Sequence, residues 1–172
     1  MGQAPYNEAY KLKNIHRKID LKNNYFPYIP ICSYNLEYIV NDVLKSKKKL
    51  NKLSFIDIGA GTNTIPQLFK ILGFGKVAGL EFDPVYVALD NQKLLLEGDL
   101  LTYNFKDYDI LYSYNPIIDS NLMIKGITNI ITTMKKGAIL YFVPCHSEII
   151  KYFNNLGVYI AKEGHYLKYI KK

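Results

Sequence analysis

Arginine is nearly missing from this chain: Arg17 stands alone among 22 lysine and arginine residues, although the formal net charge is +7. The side chain best suited to bidentate phosphate or guanine contacts therefore cannot form a patch. Lysine is abundant together with Asn, Ile and Tyr, the signature of AT-rich codons, and that bias accounts for the basic charge without a nucleic-acid partner. Cysteine is scarce as well. Cys32 and Cys145 are far apart and make no CxxC or Cys/His ligand spacing, which argues against a disulfide framework and a zinc site and leaves buried free thiols as the expectation. No apolar run approaches the roughly 18 uncharged residues of a membrane span, and the first residues lack the apolar stretch of a secretory signal. A cytoplasmic protein with no membrane partner is expected. Internal repeats and Gly/Ser linkers are also missing, so organisation has to come from periodicity.

With 172 residues, 49% of them hydrophobic, the chain can bury one sizeable core and is too short to divide in two. We expect one α/β domain over 51–172, preceded by a helical extension over 1–50 that packs on it. Within the extension, residues 6–22 combine Lys11, Lys13, Arg17 and Lys18 with Leu12, Ile15 and Ile19 as a weakly amphipathic basic helix or arm. A clearer helix carries Leu36, Ile39, Val40, Val43 and Leu44 on one face and ends in Lys45, Lys47, Lys48 and Lys49, where cations favour a helix C-terminus. From Leu53 the pattern becomes an alternation of short apolar runs with helical stretches, the layout of a mostly parallel sheet with helices on both faces. Seven strands are expected, at 53–58, 76–81, 93–97, 108–114, 138–143, 157–162 and 166–170, the last two as an antiparallel hairpin around Gly164. One helical face, Ile65, Leu68, Phe69 and Leu72, stops at Gly73; a second, Ile127, Ile130, Ile131 and Met134, stops before Gly137.

The informative motif is the segment Phe55-Ile56-Asp57-Ile58-Gly59-Ala60-Gly61-Thr62-Asn63, an apolar strand running into a glycine turn and then a helix. Glycine is needed where the backbone passes close to a ligand or takes positive φ. Thr64 and Gln67 are spaced as a capping box, with Pro66 tolerated in the first turn. Glu81 follows the loop by about twenty residues, where an acid can grip ribose hydroxyls. Its replacement is expected to weaken binding and leave stability nearly unchanged. A nicotinamide dinucleotide would call for GxGxxG, but Thr64 holds the third glycine position. The form Asp57-x-Gly59-x-Gly61 suits a cofactor without phosphates, whose amine can meet an acid.

Asp57-Ile-Gly59-Ala-Gly61, Glu81, Glu97-Gly98-Asp99, Tyr112-Ser113-Tyr114-Asn115-Pro116 and Lys136-Gly137-Ala-Ile-Leu-Tyr together resemble the ordered motifs of class I, Rossmann-like S-adenosylmethionine-dependent methyltransferases. The resemblance covers roughly residues 53–145. It implies that S-adenosylmethionine is the cofactor, with Asp57 and the loop of Gly59, Ala60, Gly61, Thr62 and Asn63 on its methionine part. It further implies Glu81 on the ribose, Phe82 on an adenine face, and Asp99 with Leu100 at the adenine edge. Asn63 departs from the usual third glycine of the loop, and Asn tolerates the left-handed conformation better than most residues. A narrower likeness, carried by Tyr25-Phe26-Pro27-Tyr28-Ile29-Pro30 and the single Pro116, is to lysine methyltransferases of the Dot1-like and ATP synthase c-subunit type. That segment would then cover the cofactor; the alternative is a proline-stiffened linker.

Asn115-Pro116 is also similar to the Asn-Pro-Pro-aromatic signature of amino-group methyltransferases, but Ile117 and Ile118 replace its second proline and stacking aromatic. Tyr112, Tyr114 and Asn115 fall at the carboxyl edge of the fourth strand, where ligands of open α/β sheets bind, and are the candidate catalytic residues, Asn115 also closing the cofactor site that begins at Asp57. His16, His146 and His165 show no partner pattern. The acceptor expected is an amine, on a small molecule or on a protein, with a protein lysine as the candidate there; nucleic acid is the alternative partner. A cofactor-binding pseudoenzyme or partner subunit and, further off, a nucleotide-dependent oxidoreductase are the competing function classes.

Overall fold

Every apolar run expected to be a strand forms one in the computed structural model, which describes residues 33–45, 49–144, 147–156, 159–160 and 166–172. The strands are β1 (Ser54–Ile58), β2 (Lys76–Glu81), β3 (Leu95–Glu97), β4 (Ile110–Ser113), β5 (Ile139–Phe142), β6 (Tyr159–Ile160) and β7 (Leu167–Ile170). They make one seven-stranded sheet in the order β3-β2-β1-β4-β5-β7-β6. The first five are parallel, while β7 runs antiparallel between β5 and β6 as the return arm of the expected hairpin. All five residues of β1 are buried, because a central parallel strand is covered on both faces.

Helices α1 (Ser33–Lys45) and α2 (Thr64–Ile71) cover one face. Ile39 and Val43 of α1 and Ile65 and Phe69 of α2 pack there against Phe55, Ile110, Tyr112 and Tyr141. The Phe55 and Phe69 rings stack with centroids 3.6 Å apart, and Phe74 stands edge-on to both. Beyond α3 (Pro84–Leu89), helices α4 (Ser120–Thr133) and α5 (Ser147–Asn155) cover the other face. Met123, Ile127, Ile130, Ile149 and Phe153 meet Ile56, Ile58, Leu111, Leu140 and Phe142 there. A polar clamp fastens α1: Asp42 accepts from the Tyr141 hydroxyl at 2.5 Å and from Lys168 Nζ at 2.6 Å. Burial would raise the Asp42 carboxyl, but the Lys168 and Tyr141 hydrogen bonds outweigh it and hold the group below its ordinary value.

Two local expectations are corrected. The capping box does not form, because Asn63 takes a left-handed conformation, φ 58°, and itself becomes the N-cap of α2. The Gln67 N–H is bonded to the Asn63 carbonyl at 3.0 Å, and the Thr64 hydroxyl lies 3.0 Å from that of Thr62. Helices α3 and α5 also went unexpected. The start of α3 carries its own signal, Asp83 accepting from the Val85 N–H at 2.9 Å with Pro84 in the first turn. The expectations for residues 6–22 and 25–30, Cys32, Cys145 and all three histidines fall outside the described residues. Among the described residues no helix is long and apolar enough to cross a membrane.

Gly79 of β2 has no room for a side chain, since an added Cβ would lie 2.5 Å from Ala60 Cβ and 2.6 Å from Leu95 Cδ2. Gly79→Ala is therefore expected to destabilise the fold by about 1–3 kcal/mol through overpacking. Urea unfolding measures this, and a change below about 0.5 kcal/mol, the usual surface range, would contradict the packing described.

Candidate cofactor and active site

Strand β1 lies between β2 and β4, so consecutive connections leave it towards opposite sides and a crevice opens at the carboxyl ends of the strands. The chain leaving β1 takes positive φ at Gly59 (80°), Gly61 (53°) and Asn63 (58°). The N–H groups of Gly59 and Ala60 both donate to the Leu80 carbonyl, at 2.9 and 3.1 Å, which folds the loop over the end of β2. The Ala60 methyl packs beneath the loop with Tyr86 and Leu95, while Thr62 is half-buried. Gly59 takes the positive φ that the sequence reading allowed for, and a second constraint adds to it. A Cβ there would lie 2.5 Å from Pro116 Cβ, so a protein neighbour already excludes any side chain. The same contact brings the glycine loop of β1 and the Asn115-Pro116 turn of β4 to one place.

Two carboxyl groups occupy this crevice. Asp57 is buried on the same side of the sheet as Tyr112 and accepts no hydrogen bond among the described residues. Burial first, and then the charge of Glu81, push its carboxyl well above the ordinary value. Glu81, at the end of β2, accepts the Gly61 N–H at 2.7 Å on one oxygen and the Phe82 and Asp83 N–H groups at 2.9 Å on the other. Burial raises its carboxyl, and these three bonds offset only part of that. The expectation that Glu81 matters for binding and not for folding is thus corrected: truncating it would strip three backbone donors of their acceptor.

The remaining candidates separate by environment. Phe82 follows Glu81 and is 50% exposed. Asp99 follows β3 and accepts the Leu101 N–H at 2.8 Å, shaping the turn there. The Leu100 side chain is a core group packed on Gly126 of α4, so only its backbone can serve a ligand. Tyr112 is buried beneath α1 among Ile39, Phe55 and Tyr141, and Tyr114 is half-buried at the margin of that cluster. Asn115 is different. It is 1% exposed with φ 36°, its Nδ2 donates to the Ile117 carbonyl at 3.2 Å, and its Oδ1 has no partner. Since Nδ2 is committed, the amide cannot flip, and a fixed, unfilled acceptor lies buried at the Asn115-Pro116 turn.

The arrangement suits a cofactor carrying an ammonium and a diol: a buried carboxyl without a partner, a second carboxyl with acceptor capacity left, and a left-handed loop between them. Sequence reasoning missed Asp90, which hydrogen-bonds Asn63 from the α3–β3 connection; no motif marks it, because the contact spans 27 residues.

The buried Asp57 carboxyl has a sign that can be checked. Its folded-state value lies above the ordinary 3.8, so the native chain retains a proton that the unfolded chain releases, and stability falls as pH rises through that window. Asp57→Asn is expected to be more stable than the parent at pH 7 without ligand, with a flatter stability profile between about pH 4 and 8. Urea midpoints across that range decide it; a variant less stable throughout would contradict the account.

No protein-family model matches the chain, and no curated protein matches it. Solved structures do. Magnesium protoporphyrin IX methyltransferase from Synechocystis PCC 6803, with bound S-adenosylmethionine, is similar at TM-score 0.58 and 20% identity over 80% of each chain. A protein of Methanococcus maripaludis, provisionally described as an S-adenosyl-L-methionine-dependent methyltransferase, is similar at TM-score 0.59 and 13% identity over 95% of this chain and 92% of that one. An amino pentose methyltransferase from Micromonospora echinaspora, also bound to S-adenosylmethionine, reaches TM-score 0.51 at 19% identity over 70% of this chain and 59% of that one. The fold of this chain is that of the class I S-adenosylmethionine-dependent methyltransferases.

Proposed function

We propose that this chain is an S-adenosylmethionine-dependent methyltransferase acting on an amine, carried by a protein lysine or a small molecule. The observation that carries the amine is the unfilled Oδ1 of Asn115, buried beside the glycine loop with its amide orientation fixed by Ile117. A neutral amine can give that oxygen one N–H and still direct its lone pair elsewhere. The cofactor is supported by the fold and by the two carboxyl groups at the loop; the Synechocystis enzyme is known with both S-adenosylmethionine and S-adenosylhomocysteine bound.

On this reading Asp57 holds the methionyl ammonium, Glu81 the ribose hydroxyls, Phe82 an adenine face, and Asp99 with the Leu100 backbone the adenine edge. The backbone of Gly59 to Asn63 shapes the floor. The cofactor supplies a methyl group on a sulfonium, a leaving group needing no acid. What the protein adds is position: Asn115 orients the acceptor nitrogen, and a neighbouring acceptor or water takes its proton. Charge supports a cationic rather than a phosphate-bearing substrate. Asp57, Glu81, Asp83, Glu97, Asp99 and Asp119 lie at or just beyond the carboxyl ends of β1–β4, whereas Lys52, Lys76, Lys106, Lys135 and Lys136 lie at or just before the amino ends of the parallel strands. Those five lysines sit at the edge away from the crevice, where Asp107 and Asp109 also lie and Asp109 pairs with Lys135. Among the similar structures, the amino pentose methyltransferase favours the small-molecule form of the proposal.

S-Adenosylhomocysteine at about 100 times its Kd should stabilise the native chain by about 2.7 kcal/mol and raise Tm by roughly 5–10 °C. NAD should leave Tm unchanged, and a response to NAD alone would refute the cofactor. With labelled cofactor and a fractionated lysate, label should appear in methylated amines of proteins or small molecules. Label confined to nucleic acid would overturn the acceptor class, and binding without transfer to any pool would make the chain a pseudoenzyme. Asn115→Ala should keep S-adenosylhomocysteine affinity within about threefold while lowering kcat at least tenfold, the range of a single lost positioning contact.

A further inference from the structure

Asn63 closes the glycine loop in the left-handed conformation, which a residue with a side chain adopts only with local support. Its side chain is 4% exposed, and both ends of its amide are engaged. Gln67 Nε2 donates to Asn63 Oδ1, and Asn63 Nδ2 donates to Asp90 Oδ1. Gln67 is one turn further along α2, but Asp90 belongs to the connection between α3 and β3. There its carboxylate also accepts the Gln92 N–H at 3.0 Å on Oδ1 and the Leu94 and Leu95 N–H groups at 2.5 and 2.7 Å on Oδ2. A carboxylate offers about four acceptor positions, and all are filled. Hydrogen bonds to an ionised acceptor are about twice as strong as neutral ones.

We propose that Asp90 is a positioning residue for cofactor binding, acting through Asn63 on the shape of the glycine loop. The proposal rests on the reading of the crevice as a cofactor site and adds a residue that touches neither cofactor nor acceptor. The loop is anchored in two halves. Its first half is tied to β2, by Gly59 and Ala60 on the Leu80 carbonyl and by Gly61 on Glu81. Its second half has the Asn63 N–H on the Ala60 carbonyl, a bond within the loop, so the tie outward to β3 is the amide relay to Asp90. A glycine at 63 would hold positive φ unaided. Asparagine needs an offsetting interaction, and Asp90 supplies it. The same carboxylate orders the start of β3, whose far end bears Glu97 and Asp99, and so fixes the loop against the strand that would serve the adenine end.

The test is a double-mutant cycle read by S-adenosylhomocysteine calorimetry, with thermal unfolding in parallel. Asp90→Asn should weaken binding about tenfold, because its amide sets a donor against N–H groups and releases the loop. Asn63→Gly should weaken binding no more than Asp90→Asn does, because glycine holds positive φ unaided but leaves the ordering of the loop to the ligand. In the Asn63→Gly background, Asp90→Asn should change affinity less than twofold while still lowering Tm, since the Leu94 and Leu95 bonds are lost in either background. A merely structural Asp90 would weaken binding equally in both, and that result overturns the proposal, as does parental affinity in the Asp90→Asn variant. Should Asp90→Asn fail to fold, Asn63→Asp breaks the relay from the other end by opposing two carboxylates. It should show the same tenfold loss, and unchanged affinity overturns the role. A parent chain that binds no S-adenosylhomocysteine overturns the cofactor reading and this role together, whereas a parent that binds beside an unaffected variant overturns the role alone.

Discussion

The chain leaving β1 has to turn back over β2 within the thickness of one loop, while Pro116, arriving from β4, presses on it from the other side. That turn constrains everything around it. Positive φ at 59, 61 and 63 follows from it, as does a bare glycine at 59, where Pro116 Cβ would touch any side chain. It also fixes Gly79, because Ala60 lies against β2 at the point where a Cβ would stand. The crevice is therefore less a pocket added to a sheet than the space that three tight backbone paths leave between them.

Two carboxyl groups are held in that space at a cost to stability. Asp57 is buried with no hydrogen-bond donor among the described residues, and Glu81 adds like charge; a core built for stability alone would place an apolar residue at 57. Glu81 is partly compensated by three N–H groups that the loop and the end of β2 point at it. The difference suggests a division of labour. On the proposed reading Glu81 holds the loop as well as the ribose, and Asp57 meets the methionyl ammonium. Burying an acid at a binding site exchanges stability for affinity.

The strands were legible because a parallel sheet covered on both faces demands short apolar runs, and no other pattern in the chain competes with them. The antiparallel hairpin was legible from two short apolar runs broken at Gly164. Helix α3 was not, since six residues are too few for a period to show, although Asp83-Pro84 announces its start. The capping box failed because Asn63 adopted the left-handed turn and took the N-cap from Thr64, a choice made by Asp90 across 27 residues of sequence. Residue types and spacing picked out Asp57, Gly59, Glu81 and Asn115, which the fold places at or just after the carboxyl ends of β1, β2 and β4. They could not show that Gly59 answers to Pro116, that Glu81 also serves the fold, or that the Leu100 side chain belongs to the core.

Asparagine in place of a third glycine then has a physical meaning beyond tolerance. A glycine loop is conformationally loose, and any ligand that needs one shape must supply the entropy of ordering it. Asparagine restricts the loop during folding instead, provided something offsets its left-handed conformation. Gln67 and Asp90 do so from two separate elements, one on the helix that follows the loop and one on the connection entering the edge strand β3. The ordering cost is thereby moved from the binding step to the folding step, and the loop meets its ligand already shaped. The same device makes the loop sensitive to the α3–β3 connection, so a shift of that exposed margin would be felt at the crevice through a single carboxylate.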